Sequence, residues 1–131
     1  KTIGDSYMAA SGIPLERKDH AVRAVGFARD VLNELNDYYT PNGEKISFRI
    51  GLNCGPVIAG VIGERKFIYD LWGDAVNIAA RMESHGVVDK IHCTQQFYDA
   101  LLKQGVDLSE FHDRGFSEIK GKGQLQTWLT Q

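Results

Sequence analysis

Apolar residues change their spacing several times along this chain, and each change marks a boundary between elements. Residues 1–3 and 6–11 flank Gly4-Asp5, the pattern of two short strands closed by a tight turn, and Gly12-Ile13-Pro14 ends the second. Over residues 19–38, Ala21, Ala24, Val25, Ala28, Val31, Leu32 and Leu35 recur at three- and four-residue intervals, which predicts an amphipathic helix. Asp19 stands where it could cap that helix, and Pro41-Asn42-Gly43 stops it. Strict alternation follows: Ile46, Phe48, Ile50 and Leu52 on one side, Ser47, Arg49, Gly51 and Asn53 on the other. That is a strand with one buried face, from which Arg49 points away from the core. Gly55-Pro56 turns the chain into the apolar run 57–62, read as a strand buried on both faces. Gly63-Glu64-Arg65-Lys66 turns it again into a strand over 67–71.

Between Gly73 and Gly86 the period becomes helical, with Ala75, Ile78, Ala79 and Met82 as the apolar stripe and Asp74, Asn77, Arg81 and Ser84 as a separate polar one. Residues 90–93 form a short strand, and Thr94 caps a helix that runs to about Lys103. Residues 116–120 and 125–129 pair as strands around Gly121-Lys122-Gly123. No repeat or low-complexity tract interrupts the order, and strands alternating with helices in this way predict an α+β sandwich.

Composition narrows the partners. A length of 131 residues with 43% apolar side chains suits one domain with a two-layer core. A net charge of −2, from 15 basic and 17 acidic residues, supplies no cationic field for nucleic acid or an anionic membrane, so neither is expected. The longest apolar runs fall well short of the roughly 20 residues of a membrane span, and nothing reads as a signal peptide. Cys54 and Cys93 lie on separate strand-like segments without metal-ligand spacing, which points to reduced packing residues in a cytoplasmic protein. His20, His85, His92 and His112 form no ligand spacing either, and the terminal Gly-Lys-Gly lacks the length and hydroxyl residue of a Walker loop. Lys1-Thr2-Ile3 reads as the tail of a strand, from which we expect further sequence upstream.

Several polar residues form a set suited to a purine nucleoside triphosphate. Adenine presents a donating exocyclic amine beside an accepting ring nitrogen, and Asp70 and Lys1 are the carboxylate and ammonium that match it. Guanine reverses that pattern, so ATP is the expected substrate. Asp5 is a short carboxylate in a turn, suited to Mg²⁺ held together with substrate phosphates. Asn77 and Arg81 share one helix face, where an amide could orient a sugar and a guanidinium could meet charge developing on a phosphoryl oxygen. Arg49 and Lys120 are further phosphate contacts. Taken singly, each has a plainer reading as a solvated surface charge or a turn former.

Spacing joins them. The segments Lys1-Thr2-Ile3-Gly4-Asp5-Ser6-Tyr7-Met8-Ala9, Arg49-Ile50-Gly51-Leu52-Asn53-Cys54-Gly55-Pro56-Val57 and Tyr69-Asp70-Leu71-Trp72-Gly73-Asp74-Ala75-Val76-Asn77-Ile78-Ala79-Ala80-Arg81-Met82, with the ending Lys120-Gly121-Lys122-Gly123 and Thr127-Trp128, resemble the class III nucleotidyl cyclase catalytic domain through essentially the whole chain. The resemblance implies a ferredoxin-like α+β fold, with helices packed on a mainly antiparallel sheet, and conversion of ATP to 3′,5′-cyclic AMP and pyrophosphate. It implies two Mg²⁺ or Mn²⁺ ions per site, with Asp5 as the second of two metal-binding aspartates, and Lys1 and Asp70 as the adenine-selecting pair. Asn77 would orient the ribose, Arg81 would stabilise the transition state, and Arg49 and Lys120 would grip the β- and γ-phosphates. Guanylyl members typically carry glutamate and cysteine at the positions of Lys1 and Asp70. The family's site lies between two subunits, Asp5 and Arg49 from one and Lys1, Asp70, Asn77, Arg81 and Lys120 from the other, so a second copy of the domain is an expected partner, with a regulatory domain elsewhere in the parent protein. The family's opening strand, first metal aspartate and first two helices have no counterpart in residues 1–131, which are therefore expected to be inactive by themselves. The rival reading is a non-catalytic cyclase-like module that dimerises or binds nucleotide for regulation.

Overall fold

The computed structural model describes residues 1–13, 15–62 and 68–130; the side chains of Ile3 and of residues 61–62 and 68–72 lie outside that description. In chain order the elements are β1 (Thr2–Ile3), β2 (Ser6–Tyr7), α1 (His20–Leu35), β3 (Ile50–Leu52), β4 (Ile58–Ile62), β5 (Ile68–Trp72), α2 (Asp74–Ser84), β6 (Ile91–Thr94), α3 (Gln95–Lys103), β7 (Phe111–Ile119) and β8 (Gly123–Thr130). The architecture is α+β, as expected, and its main sheet is mixed with mainly antiparallel pairing.

That sheet has the order β3-β6-β8-β7. β3 runs parallel to β6 with Gly51 opposite His92, and β8 runs antiparallel to both β6 and β7. β1 with β2, and β4 with β5, form separate antiparallel hairpins. One face of the sheet carries the main core: Ala21, Val25 and Ala28 of α1 and Phe97 and Leu101 of α3 pack with Ile91, Cys93 and Phe111, and Ile50 and Leu52 join from β3. The stripe read on the first helix is the one that is buried. Tyr98 stacks on Trp128 with ring centroids 3.9 Å apart, and the indole Nε1 donates to Gln95 Oε1 at 2.7 Å.

The opposite face is covered as well, which the alternation in the sequence does not show. α2 lies along β3 on the side read as polar and outward: Arg49 pairs with Glu83, Gly51 faces the helix backbone at Ala79, Met82 and Glu83, and Asn53 Nδ2 donates to the Ala75 carbonyl. Met82 and His92 are fully buried between the two layers. Arg49 is therefore half exposed at the rim of a helix–sheet interface instead of standing out in solvent.

Other boundaries move for identifiable reasons. The strand expected over 46–52 forms regular pairing only at Ile50–Leu52, because Phe48 sits beyond the sheet edge and is 43% exposed. The second strand of the first hairpin stops at Tyr7 rather than Ser11. Ile58, expected to be buried on a doubly covered strand, is 69% exposed, because β4 pairs with β5 alone. β7 begins at Phe111, five residues before the expected start, across a bulge between Asp113 and Gly115 that breaks the period of two. Asp19 occupies the cap position of α1 without a side-chain capping bond, since its carboxylate is held by Arg17 at 3.0 Å and Arg23 at 3.2 Å. Thr94 caps α3 as expected, accepting from the Phe97 amide at 3.2 Å. The expected 63–66 turn and Phe67 lie outside the described residues.

Candidate functional site

α2 is the natural centre of a site because its inner stripe is used up against the sheet and its outer stripe is exposed. Asn77 and Arg81 lie on that exposed face, one helical turn apart, and neither side chain has a hydrogen-bond or ion-pair partner among the described residues. Gly73, at φ +136°, is the hinge from which the helix leaves β5, a backbone angle that favours glycine. Asp74 follows in the first turn, where a carboxylate complements the exposed amides of the helix start.

Asp74 has a second use. It pairs with Lys122 in the turn between β7 and β8, which ties that turn to the first turn of α2. Lys120, exposed in the same turn, is thereby carried beside the helix that bears Asn77. At the other end of α2, Arg49 Nη2 lies 3.0 Å from Glu83 Oε2, two residues past Arg81. Arg114 donates to the carbonyl of His85, and His92 Nδ1 is 2.8 Å from the carbonyl of Met82, so the C-terminal end of the helix is held by three side chains from the sheet. Asn77 and Arg81 thus lie on α2, Arg49 against its C-terminal turn, and Lys120 in a turn that Lys122 ties to its first turn.

Burial disfavours the charged form of His92 and lowers its pKa, the Met82 carbonyl opposes this, and nearby Arg114 and His85 add to the lowering. Between β3 and α2, Thr94 Oγ1 donates to Asn53 Oδ1 at 2.6 Å while Asn53 reaches Ala75, a bridge that closes one wall of a cleft of about 330 Å³ lined by Asn53, Cys54, Gly55, Pro56, Asp74 and Ile78. Cys54 and Cys93 are both free thiols, as read from the sequence; burial pushes Cys93 up to about 12 and also raises Cys54.

Lys1 and Asp5 sit elsewhere in the chain's pairing scheme, on the β1–β2 hairpin. Met8 N donates to the Lys1 carbonyl at 2.7 Å, so the hairpin extends one pair beyond its two-residue strands, and both Lys1 and Asp5 are exposed. Gly4, at φ +59°, makes the turn that presents Asp5. Asp70 lies on β5 opposite Gly60, and its side chain lies outside the described residues. No group of three or more His, Cys, Asp or Glu side chains among the described residues forms a cation cage. Asp5 offers a single exposed carboxylate, a donor that fits a hard divalent cation when further oxygens come from a triphosphate.

Reading residues one at a time missed Glu83, the partner of Arg49, and the pairing of Asp74 with Lys122. Both acids look like ordinary helix-surface charges, and only Gly51, a glycine inside a strand, signals that another backbone comes close.

The model of the adenylate and guanylate cyclase catalytic domain family matches residues 1–131. An adenylate cyclase of Mycobacterium tuberculosis is 44% identical over 128 residues, covering 98% of this chain and 28% of the relative, so the chain spans little more than a quarter of that protein. The guanylate cyclase domain of RhGC from Catenaria anguillulae, solved in complex with GTP, superposes with a TM-score of 0.88 at 40% identity, covering 100% of this chain and 70% of that one. The non-canonical dimeric guanylyl cyclase domain of the RhoGC fusion protein from Blastocladiella emersonii gives 0.85 at 36% identity, covering 99% and 68%. No helix among the described residues is long and apolar enough to cross a membrane.

Proposed function

Because the chain belongs to the adenylate and guanylate cyclase catalytic domain family, we propose that it is the core of an adenylyl cyclase that converts ATP to 3′,5′-cyclic AMP and pyrophosphate. The observation that carries this reading is the free outer face of α2, with Asn77 and Arg81 one turn apart and the Lys120 turn tied to the same helix through Lys122 and Asp74. Relatives of both base specificities are similarly close, so the choice of ATP rests on Lys1 and Asp70, whose donor and acceptor match adenine and mismatch guanine.

In this reading Asn77 holds the ribose, Arg81 faces the charge that develops as the α-phosphate is attacked, and Arg49 and Lys120 hold the β- and γ-phosphates. Asp5 would hold divalent cations, and two Mg²⁺ or Mn²⁺ ions bound there would offset triphosphate charge and acidify the ribose 3′-hydroxyl. A second copy of the domain completes the site, Asp5 and Arg49 coming from one subunit and Lys1, Asp70, Asn77, Arg81 and Lys120 from the other; that a related cyclase domain forms a non-canonical dimer supports pairing of two copies and not this division of residues. The domain acts within a longer protein that contributes a regulatory domain, and it contacts neither nucleic acid nor membrane.

The test is product formation by the full-length protein with Mn²⁺ and either ATP or GTP. Cyclic AMP should dominate, and Lys1→Glu with Asp70→Cys should weaken ATP use; cyclic GTP as the main product would overturn the adenine assignment. Nucleotide binding without any cyclic product would instead favour a regulatory module. Residues 1–131 alone, assayed beside the full-length protein, should form no cyclic AMP because they supply only one of the two metal carboxylates.

A further inference from the structure

We propose that Glu83 is a positioning residue for the triphosphate end of the substrate, acting through Arg49; this rests on the cyclase reading above. Three observations carry it. Glu83 Oε2 lies 3.0 Å from Arg49 Nη2, with both side chains only partly exposed, 33% and 47%. The closeness is built into the backbone: a Cβ placed on Gly51 would lie 2.1 Å from the Glu83 amide nitrogen, so only a glycine two residues after Arg49 lets α2 come down onto β3 at this point. Glu83 Oε2 is also buried and has no aligned hydrogen bond, so this oxygen faces the guanidinium as a charge without a donor of its own.

A guanidinium carries five N–H donors in a rigid fork, and its long stem has many rotamers to lose when it grips a phosphate. A carboxylate anchored to the helix holds one edge of that fork in place before substrate arrives and leaves the remaining donors to face outward. Glu83 therefore lowers the ordering cost of binding the β- and γ-phosphates and makes no contact with them itself. The same short link ties the phosphate grip to the C-terminal turn of α2 in the subunit that supplies Arg49, while Arg81 at that site comes from the other subunit.

The test compares wild type, Glu83→Gln, Glu83→Asp and Arg49→Ala in the full-length protein. The readouts are KM and kcat for ATP, inhibition by inorganic pyrophosphate, and inhibition by cyclic AMP, which lacks the β- and γ-phosphates. Glu83→Gln should raise KM for ATP and weaken pyrophosphate inhibition by roughly fivefold, the effect of one long side chain left unordered, with kcat, cyclic AMP inhibition and the thermal midpoint little changed. Glu83→Asp, which keeps the charge on a shorter stem, should recover part of the loss. Equal weakening of pyrophosphate and cyclic AMP would mark a general structural role and overturn the proposal, as would unchanged or tighter pyrophosphate binding in Glu83→Gln. If Arg49→Ala leaves pyrophosphate inhibition unaltered, the phosphate role of Arg49 fails and the proposal with it. If only Arg49→Ala has an effect, the role of Arg49 stands and that of Glu83 falls.

Discussion

Among the glycines whose surroundings are described, Gly51 is the one where a substitution by alanine meets the closest contacts and should cost most. Its Cβ would stand 2.1 Å from Glu83 N, 2.5 Å from the Met82 carbonyl carbon and 2.6 Å from Ala79 O, where unstrained heavy-atom contacts sit at about 3.5–4.0 Å. All three obstacles are backbone, so none can rotate aside, and α2 must lift from β3 by about 1 Å or more to make room. Lifting it stretches the bonds that line its underside, His92 Nδ1 to Met82 O at 2.8 Å and Asn53 Nδ2 to Ala75 O at 3.1 Å. Overpacking of this kind costs about 1–3 kcal/mol, and a wholly main-chain clash belongs at the upper end. The reduced chain entropy of alanine returns roughly 0.5–1 kcal/mol, leaving a net loss of about 2 kcal/mol. That corresponds to a fall of roughly 5–15 °C in Tm. Urea unfolding followed by intrinsic fluorescence, to which the Trp128–Tyr98 stack contributes, measures it directly. Gly26→Ala is the matched comparison, because Gly26 is helical and its Cβ would meet nothing within 4 Å, so it should gain about 0.5–1 kcal/mol. A Gly51→Ala chain within about 0.5 kcal/mol of wild type, or one shifted in the same direction as Gly26→Ala, would refute the close approach of α2 to β3.

Thr94→Ala removes both the cap on Phe97 N and the bond to Asn53, and should lower stability by roughly 1–3 kcal/mol in the same unfolding assay. His92 is held below its usual pKa of 6.5, chiefly by burial, so below pH 6.5 the unfolded chain takes up a proton that the folded chain resists. Stability should therefore be full above pH 6.5 and fall as pH drops through the window beneath it, and His92→Gln should flatten that limb in urea titrations between pH 5.5 and pH 7.5. Alkylation at pH 8 should label half-buried Cys54 before Cys93, whose thiol is pushed up to about 12 by burial; peptide mapping reads the order.

Much of the fold is legible from local pattern. The α1 stripe at Ala21, Val25 and Ala28 is the buried one, Thr94 caps α3, and the apolar and polar stripes of α2 part as their spacing requires. Elements failed to show where pairing, and not composition, sets their limits: β7 starts at Phe111 across a bulge, and Phe48 keeps the alternation but has no neighbouring strand. The candidate site divides the same way. Asn77 and Arg81 follow from helical spacing, whereas Glu83 becomes part of it only through the helix–sheet crossing.

What the amino-acid order determined alone is the set of elements and the supply of chemistry: two carboxylates, an amide and four cations at intervals suited to a purine triphosphate. What only the tertiary structure decided is which faces meet. Alternation along β3 separates Ile50 and Leu52 from Arg49, Gly51 and Asn53, and that pattern is identical whether the second set faces water or a helix. α2 settles it by lying on that side, because Gly51 leaves room for its backbone and Asn53 and Arg49 find partners there. Periodicity reports which residues share a side, a property of the local backbone; what covers that side depends on a segment more than twenty residues away, about which the local pattern carries no information.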